Sequence, residues 1–127
     1  MLDGSALSTA RRQAGVVAGL PVLAELVDEV CGPDASLSLL VADGDRVSPG
    51  TRLATLSASA HDVLALERTA LNLLGHLSGV ATATRAWVDA TEGTGARVRD
   101  TRKTMPLLRA LEKYAVRCGG GTNHRTG

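Results

Sequence analysis

Residues 98–125, VRDTRKTMPLLRALEKYAVRCGGGTNHR, hold the densest set of side chains able to grip an anion. Arg102 and Lys103 are adjacent, and further along His124 and Arg125 are adjacent as well. An arginine holds a carboxylate or phosphate through two parallel N–H donors, whereas a lysine adds a compact charge. A planar di-acid or a phosphorylated sugar would suit such a set. Both lysines of the chain, Lys103 and Lys113, fall in this stretch. From residue 97 onward eight Lys and Arg face only Asp100 and Glu112, a local charge of +6; residues 1–96 hold six basic and eleven acidic side chains, or −5. That asymmetry points to an anionic partner.

Each of these residues also has a plainer reading. An Arg–Lys pair at a helix start is usually a solvated surface feature. A lone histidine such as His124 is more often packed or hydrogen-bonded than catalytic. Gly119–Gly121 either stop a helix or let a backbone approach phosphate closely. Arg109, Lys113 and Arg117, four residues apart, read as the wet face of a helix. Arg68 could pair with Glu67 or Glu92, Asn72 could cap or bridge, and His61 and His76 read as structural.

Elements able to position the cations follow from periodicity. Ala96–Asp100 reads as a strand. Thr104 can cap a helix whose first turn accepts Pro106, with Leu107, Leu108, Leu111, Tyr114 and Ala115 on one face until the glycines stop it. Thr122–Arg125 reads as the start of a second strand. This strand, helix, strand order is α/β grammar, and the carboxyl ends of parallel strands gather side chains around a ligand. Arg102, Lys103, His124 and Arg125 would then converge.

Upstream, residues 1–14 read as a loose leader without the apolar run of a secretory signal. GVVAGLP reads as a short strand. Val22, Leu23, Leu26, Val27 and Val30 recur at helical spacing until Gly32 and Pro33. Residues 36–41 and 51–57 read as strands around a turn. From His61 to about Ala90 a long helix carries a wide apolar arc (Leu64, Leu66, Leu71, Leu73, Leu74, Leu77, Val80) and a narrow stripe of Arg68, Asn72, Gly75 and Gly79. Each interior glycine costs about 1 kcal/mol relative to alanine, so a close backbone approach, or a break near Gly79, is expected there.

Composition removes several functions. No apolar run reaches the roughly 18–20 residues of a membrane span, and the chain is expected in the cytoplasm. Cys31 and Cys118 have no metal-ligand spacing and read as buried thiols. Trp87 and Tyr114 are the only aromatic residues, which argues against a base-stacking nucleic-acid surface. DGDRVSPGTRLATL has the rhythm of a biotinyl or lipoyl carrier, but no lysine precedes Lys103. A two-stranded parallel sheet with one helix does not stand alone, so the second half reads as part of a larger unit.

GVVAGLP, ERTALNLLGHLSGVATATRAWVDA and GTGARVRDTRKTMPLLRALEKYAVRCGGGTNHR together resemble the quinolinate phosphoribosyltransferase family, the decarboxylating nicotinate-nucleotide pyrophosphorylases. D-T-R-K-T, K-Y-A-V-R, G-G-G and N-H-R occur in that order, and the likeness runs from about Gly15 to Gly127. The resemblance implies an α/β fold: an α+β sandwich over residues 1–93, then the first βα unit of an incomplete α/β barrel over 94–127. It implies joining of quinolinate to phosphoribosyl pyrophosphate with Mg²⁺, giving nicotinate mononucleotide, pyrophosphate and carbon dioxide in NAD synthesis. Arg68, Thr101, Arg102, Lys103, His124 and Arg125 fall on the family's substrate-binding positions, with Lys103 also the catalytic candidate. A homodimer with Arg68 acting in trans is implied too.

The later barrel strands, with a further lysine and the acidic Mg²⁺ ligands, have no counterpart in these 127 residues, so the chain alone is expected to be inactive. A non-catalytic fragment and a related pyrophosphorylase-like binding protein are the alternatives. EGTGAR lacks the acidic pair that phosphoribosyltransferases with a Rossmann-like fold place before their loop.

Overall fold

The computed structural model describes residues 3–9, 14–101 and 108–123. In chain order the elements are β1 (Asp3–Thr9), β2 (Gly15–Val16), α1 (Leu20–Cys31), β3 (Ser36–Leu39), β4 (Arg46–Val47), β5 (Arg52–Ser59), α2 (Ala60–Ala90) and α3 (Arg109–Cys118). β1, β5 and β3 form an antiparallel sheet in that order, and β2 pairs with β4.

Leu53, Ala54, Leu56 and Ala58 of β5 are buried and meet Leu23 and Val27 of α1 and Leu66, Ala70 and Leu74 of α2 in one apolar cluster. At roughly 25 cal/mol per Å² of apolar surface removed from water, this layer of sheet against helices is the main source of stability in the first half. α2 presents Leu66, Ala70, Leu74, Leu77, Ala81 and Thr84 inward. Steps of four and three residues keep one face turned to the core along the helix. Ser59 starts α2 by accepting a hydrogen bond from the Asp62 backbone N–H at 3.2 Å, so its hydroxyl satisfies an orphan donor.

A second cluster joins Val16, Ala18, Leu77, Ala81 and Ala115, and so ties α3 to the middle of α2. Val16–Leu20 is buried between them. Its backbone must find partners inside the protein. Thr82 Oγ1 accepts from Val16 N and donates to Val16 O, and Ser78 Oγ does the same for Ala18 N and O. Asp43 accepts from Gly19 N at 2.9 Å and Leu20 N at 3.0 Å, capping α1 from a distant turn.

Several expectations are corrected. Residues 3–9 are not a loose leader; they form a strand paired with β5 along its length. α2 runs unbroken through Gly79, and a Cβ at Gly75 or Gly79 would meet nothing within 4 Å. Its apolar arc is only partly buried, since Leu64 is 71% and Leu71 46% exposed. The strand expected over Ala96–Asp100 is reduced to one parallel bridge, Arg99 to Thr122. α3 begins at Arg109 with Leu108 as its N-cap, so Leu108 does not belong to the helix as expected. The start expected at Thr104–Leu107 lies outside the described residues.

Candidate active site

The site is built where the bridge joins the two halves of the strand, helix, strand unit. Thr122 N donates to Val98 O at 2.8 Å and Asp100 N to Thr122 O at 3.0 Å. The pairing is parallel, so both segments run out from the same end. Thr101, exposed, follows Asp100 on one of them, and Asn123 precedes His124 on the other. Arg102, Lys103, His124 and Arg125 lie outside the described residues. Arg68 is on the exposed side of α2. Among the described residues the ion pairs join Arg46 and Arg85 to Asp89, His76 to Glu112, and Lys113 to Asp100; the pairing of Arg68 with Glu67 or Glu92 does not form.

Lys113 departs most from expectation. It is not on a wet face. Its Nζ donates to Asp100 Oδ2 at 3.0 Å, with the two side chains 12% and 5% exposed. With its amide nitrogen turned to the two acceptors, Asn123 donates to Asp100 Oδ2 at 2.9 Å and to Lys113 O at 3.1 Å. The carboxylate at the end of the first segment is thus held by the intervening helix and by the second segment.

The three glycines serve packing. Gly119 is buried, and a Cβ there would collide with Ala81 O and Thr84 Cβ of α2. Gly121 N donates to Val116 O at 2.9 Å, and a Cβ on Gly121 would lie 2.8 Å from Thr84 Cγ2. Gly120 has φ +92°, a conformation that glycine adopts at little cost. This run seats the end of α3 on α2. His76 Nε2 meets Glu112 Oε2 at 2.9 Å and braces the same interface, in keeping with its structural reading.

Tyr114 donates from its hydroxyl to Asp43, so the residue that caps α1 also holds α3. Burial first, and then the Asp43 carboxylate, push the Tyr114 phenol well above its ordinary value. Cys31 and Cys118 are free and half-buried, and burial raises both thiols. Neither fits an activated nucleophile.

Among the described residues no group of three or more His, Cys, Asp or Glu could hold a metal ion. Asp43 and Asp100 are already engaged by backbone N–H groups, Tyr114, Lys113 and Asn123. The described residues therefore do not fit Mg²⁺, and no chemical step is routed through that ion. An open groove between α1 and β3, lined in part by Val27, Leu37 and Leu39, is rimmed by Glu25 and Asp28. Its charge has the wrong sign for a di-acid.

Comparison with known proteins matches both halves. The α/β fold of helices and small sheets is that of the N-terminal portion of a family of phosphoribosyl transferases. The family model "Quinolinate phosphoribosyl transferase, N-terminal domain" matches residues 3–78, and "Quinolinate phosphoribosyl transferase, C-terminal domain" matches residues 80–127. The chain belongs to the quinolinate phosphoribosyl transferase family.

It is 56% identical over 117 residues to the nicotinate-nucleotide pyrophosphorylase (carboxylating) of Mycobacterium leprae, covering 91% of this chain and 41% of that protein. It is 44% identical to the probable nicotinate-nucleotide pyrophosphorylase of Synechocystis, covering 91% and 39%. The solved structure of the nicotinate-nucleotide pyrophosphorylase from Francisella tularensis superposes with a TM-score of 0.92 at 34% identity, covering 99% of this chain and 45% of that one. NadC from Streptococcus pyogenes gives 0.89 at 40%, covering 98% and 45%. The chain thus spans about 40% of the length of these curated relatives.

Proposed function

We propose that the chain supplies the quinolinate-gripping part of a quinolinate phosphoribosyltransferase, which joins quinolinate to phosphoribosyl pyrophosphate and releases nicotinate mononucleotide, pyrophosphate and carbon dioxide. The observation that carries this reading is the parallel bridge from Arg99 to Thr122, which pairs the backbone just before each cationic pair of the sequence in a chain of this family. Two adjacent carboxylates on a pyridine ring need two groups of cations at a fixed spacing. Arg102 and Arg125 would each hold a carboxylate, with Thr101, Lys103 and His124 completing the grip and Lys103 facing the reacting centre. Held so, the ring nitrogen is oriented toward the sugar carbon as pyrophosphate leaves. Alkylation makes the ring an electron sink, so the neighbouring carboxylate leaves as carbon dioxide and its electron pair returns to the ring carbon, which takes a proton.

Residues 1–93 form the sandwich domain in this reading, and 94–127 open the barrel. The protein works in the cytoplasm as a homodimer, Arg68 reaching the neighbouring site in trans. An exposed arginine beside Asn72, Leu64 and Leu71 supports that role. No helix of the described residues is long and apolar enough to cross a membrane.

Calorimetric titration with quinolinate tests the reading. The chain is expected to bind, and an R102A/R125A variant to lose binding by at least about a hundredfold, two charge-assisted contacts being removed. Wild-type affinity in a folded variant would refute the assignment. Because the chain spans about 40% of its relatives' length, it is expected to form no nicotinate mononucleotide by itself.

A further inference from the structure

Among the described residues the three-stranded sheet ends at β3, which pairs with β5 on one side only. Leu40 N donates to Leu53 O at 2.9 Å, and the register of Leu39 with Ala54 sets these two residues directly opposite. Bonded and unbonded pairs alternate along an antiparallel ladder, so Ser36 and Ser38 bond to β5 while Leu37 and Leu39 turn their N–H and C=O groups outward. No described strand meets them there. Edge strands are commonly blunted by a charge, a proline or a bulge. β3 reads SLSL and keeps an unshifted register with β5, so it carries none of these.

The side chains of the same two leucines line the open groove against α1, with Ala24 and Val27 opposite and a volume of about 450 Å³. Glu25 and Asp28, three residues apart and exposed, stand on its rim. From residue 20 to residue 39 the chain holds Glu25, Asp28, Glu29 and Asp34 and no Lys, Arg or His, a charge of −4. An open apolar trough beside bare backbone suits an extended chain better than a small molecule, which needs enclosure.

We infer that β3 is a docking edge for an extended, basic peptide segment of another protein. The segment adds to the sheet antiparallel to β3, places apolar side chains in the groove and brings Lys or Arg to Glu25 and Asp28. Residues opposite Leu37 and Leu39 form the bonded pairs of the new ladder, and their side chains point to the groove face as the two leucines do. Backbone bonds thus hold the segment, and the acidic rim selects its charge. Pairing of two copies through this edge would set one acidic α1 beside the other, so like charge disfavours a second copy as the occupant.

The test titrates the 127-residue chain into a fluorescein-labelled peptide of lysine, threonine, valine, threonine, valine, threonine and lysine, in that order, and reads anisotropy. Its valines and lysines share the groove face. Binding is expected, and E25K/D28K is expected to weaken it by at least about tenfold, two attractions having become repulsions. The variant should in turn prefer the same peptide with glutamate in place of lysine, which an unfolded variant could not do. Methylating the two valine amides leaves the charge but removes the ladder donors, and should also cost at least about tenfold. An unbound lysine peptide, no reversal of preference in E25K/D28K, or full affinity of the methylated peptide would each overturn the inference. So would sedimentation showing that wild-type chain self-associates through this edge, a second copy then being the occupant.

Discussion

Asp43 concentrates several jobs in one side chain. It caps α1 through the Gly19 and Leu20 amides and accepts the Tyr114 hydroxyl, so the turn between β3 and β4 is fastened to both α1 and α3. A carboxylate that accepts three donors makes the phenol a poor acid, because a tyrosinate there would be buried against like charge. The folded pKa of Tyr114 lies above its unfolded value near 10. Its contribution to stability is therefore complete below about pH 10 and is lost as pH rises above it. Tyr114 is the only tyrosine, so tyrosinate absorbance reports it alone. In the folded chain that absorbance is expected to stay absent through about pH 10 and to appear only with unfolding, whereas an ordinary titration near 10 would contradict the part-buried Asp43 contact. Y114F is expected to lower stability by about 1–3 kcal/mol at neutral pH, measured by urea unfolding.

Packing of α3 on α2 depends on an absent side chain. Gly119 has φ −78°, which any residue tolerates, so its need for glycine is purely steric: Ala81 O and Thr84 occupy the space of a Cβ. G119A is expected to cost about 1–3 kcal/mol as an overpacked contact, read from thermal melting, while G75A on the open side of α2 gains about 0.5–1 kcal/mol. Equal effects would show that α3 is not seated as described. The sequence carried much of this layout. Apolar spacing with a Gly32–Pro33 stop marked α1, and β-prone runs marked β3 and β5. The long apolar period marked α2 to within a residue or two. What stayed hidden depends on partners far along the chain. β1 has no apolar alternation and is a strand because β5 offers it an edge. Lys113 looked solvated because spacing along α3 says nothing of Asp100, thirteen residues back. In the candidate site the residue types suggested an anion grip whose cations lie outside the described residues, and the parallel bridge agrees with the expected strand, helix, strand order. Asp43, Ser78, Thr82 and Asn123 gave no local signal, since a polar side chain announces its backbone partner only once the chain has folded.

One long face of the molecule remains uncovered within a single chain. Leu64, Leu71 and Trp87 are 71%, 46% and 66% exposed along α2, with Arg68, Asn72, Gly75 and Gly79 exposed on the same helix. Apolar side chains at such exposure, beside a backbone bared by two glycines, leave a surface that a second helix could approach closely. The homodimer reading requires Arg68 to reach a neighbour, and Arg68 lies on this surface. The two glycines then carry opposite consequences for the single chain and for the pair. In a monomer G75A and G79A remove backbone freedom and collide with nothing, so stability rises by about 0.5–1 kcal/mol at each. Across a close interface the same two methyl groups hold the partner off. The double variant is therefore expected to melt higher at dilute concentration and yet to dissociate more readily, with a dimer dissociation constant raised by about tenfold or more in sedimentation, one to three kcal/mol being typical of overpacking. Higher melting with unchanged association would place the dimer contact, and Arg68's reach, on some other face.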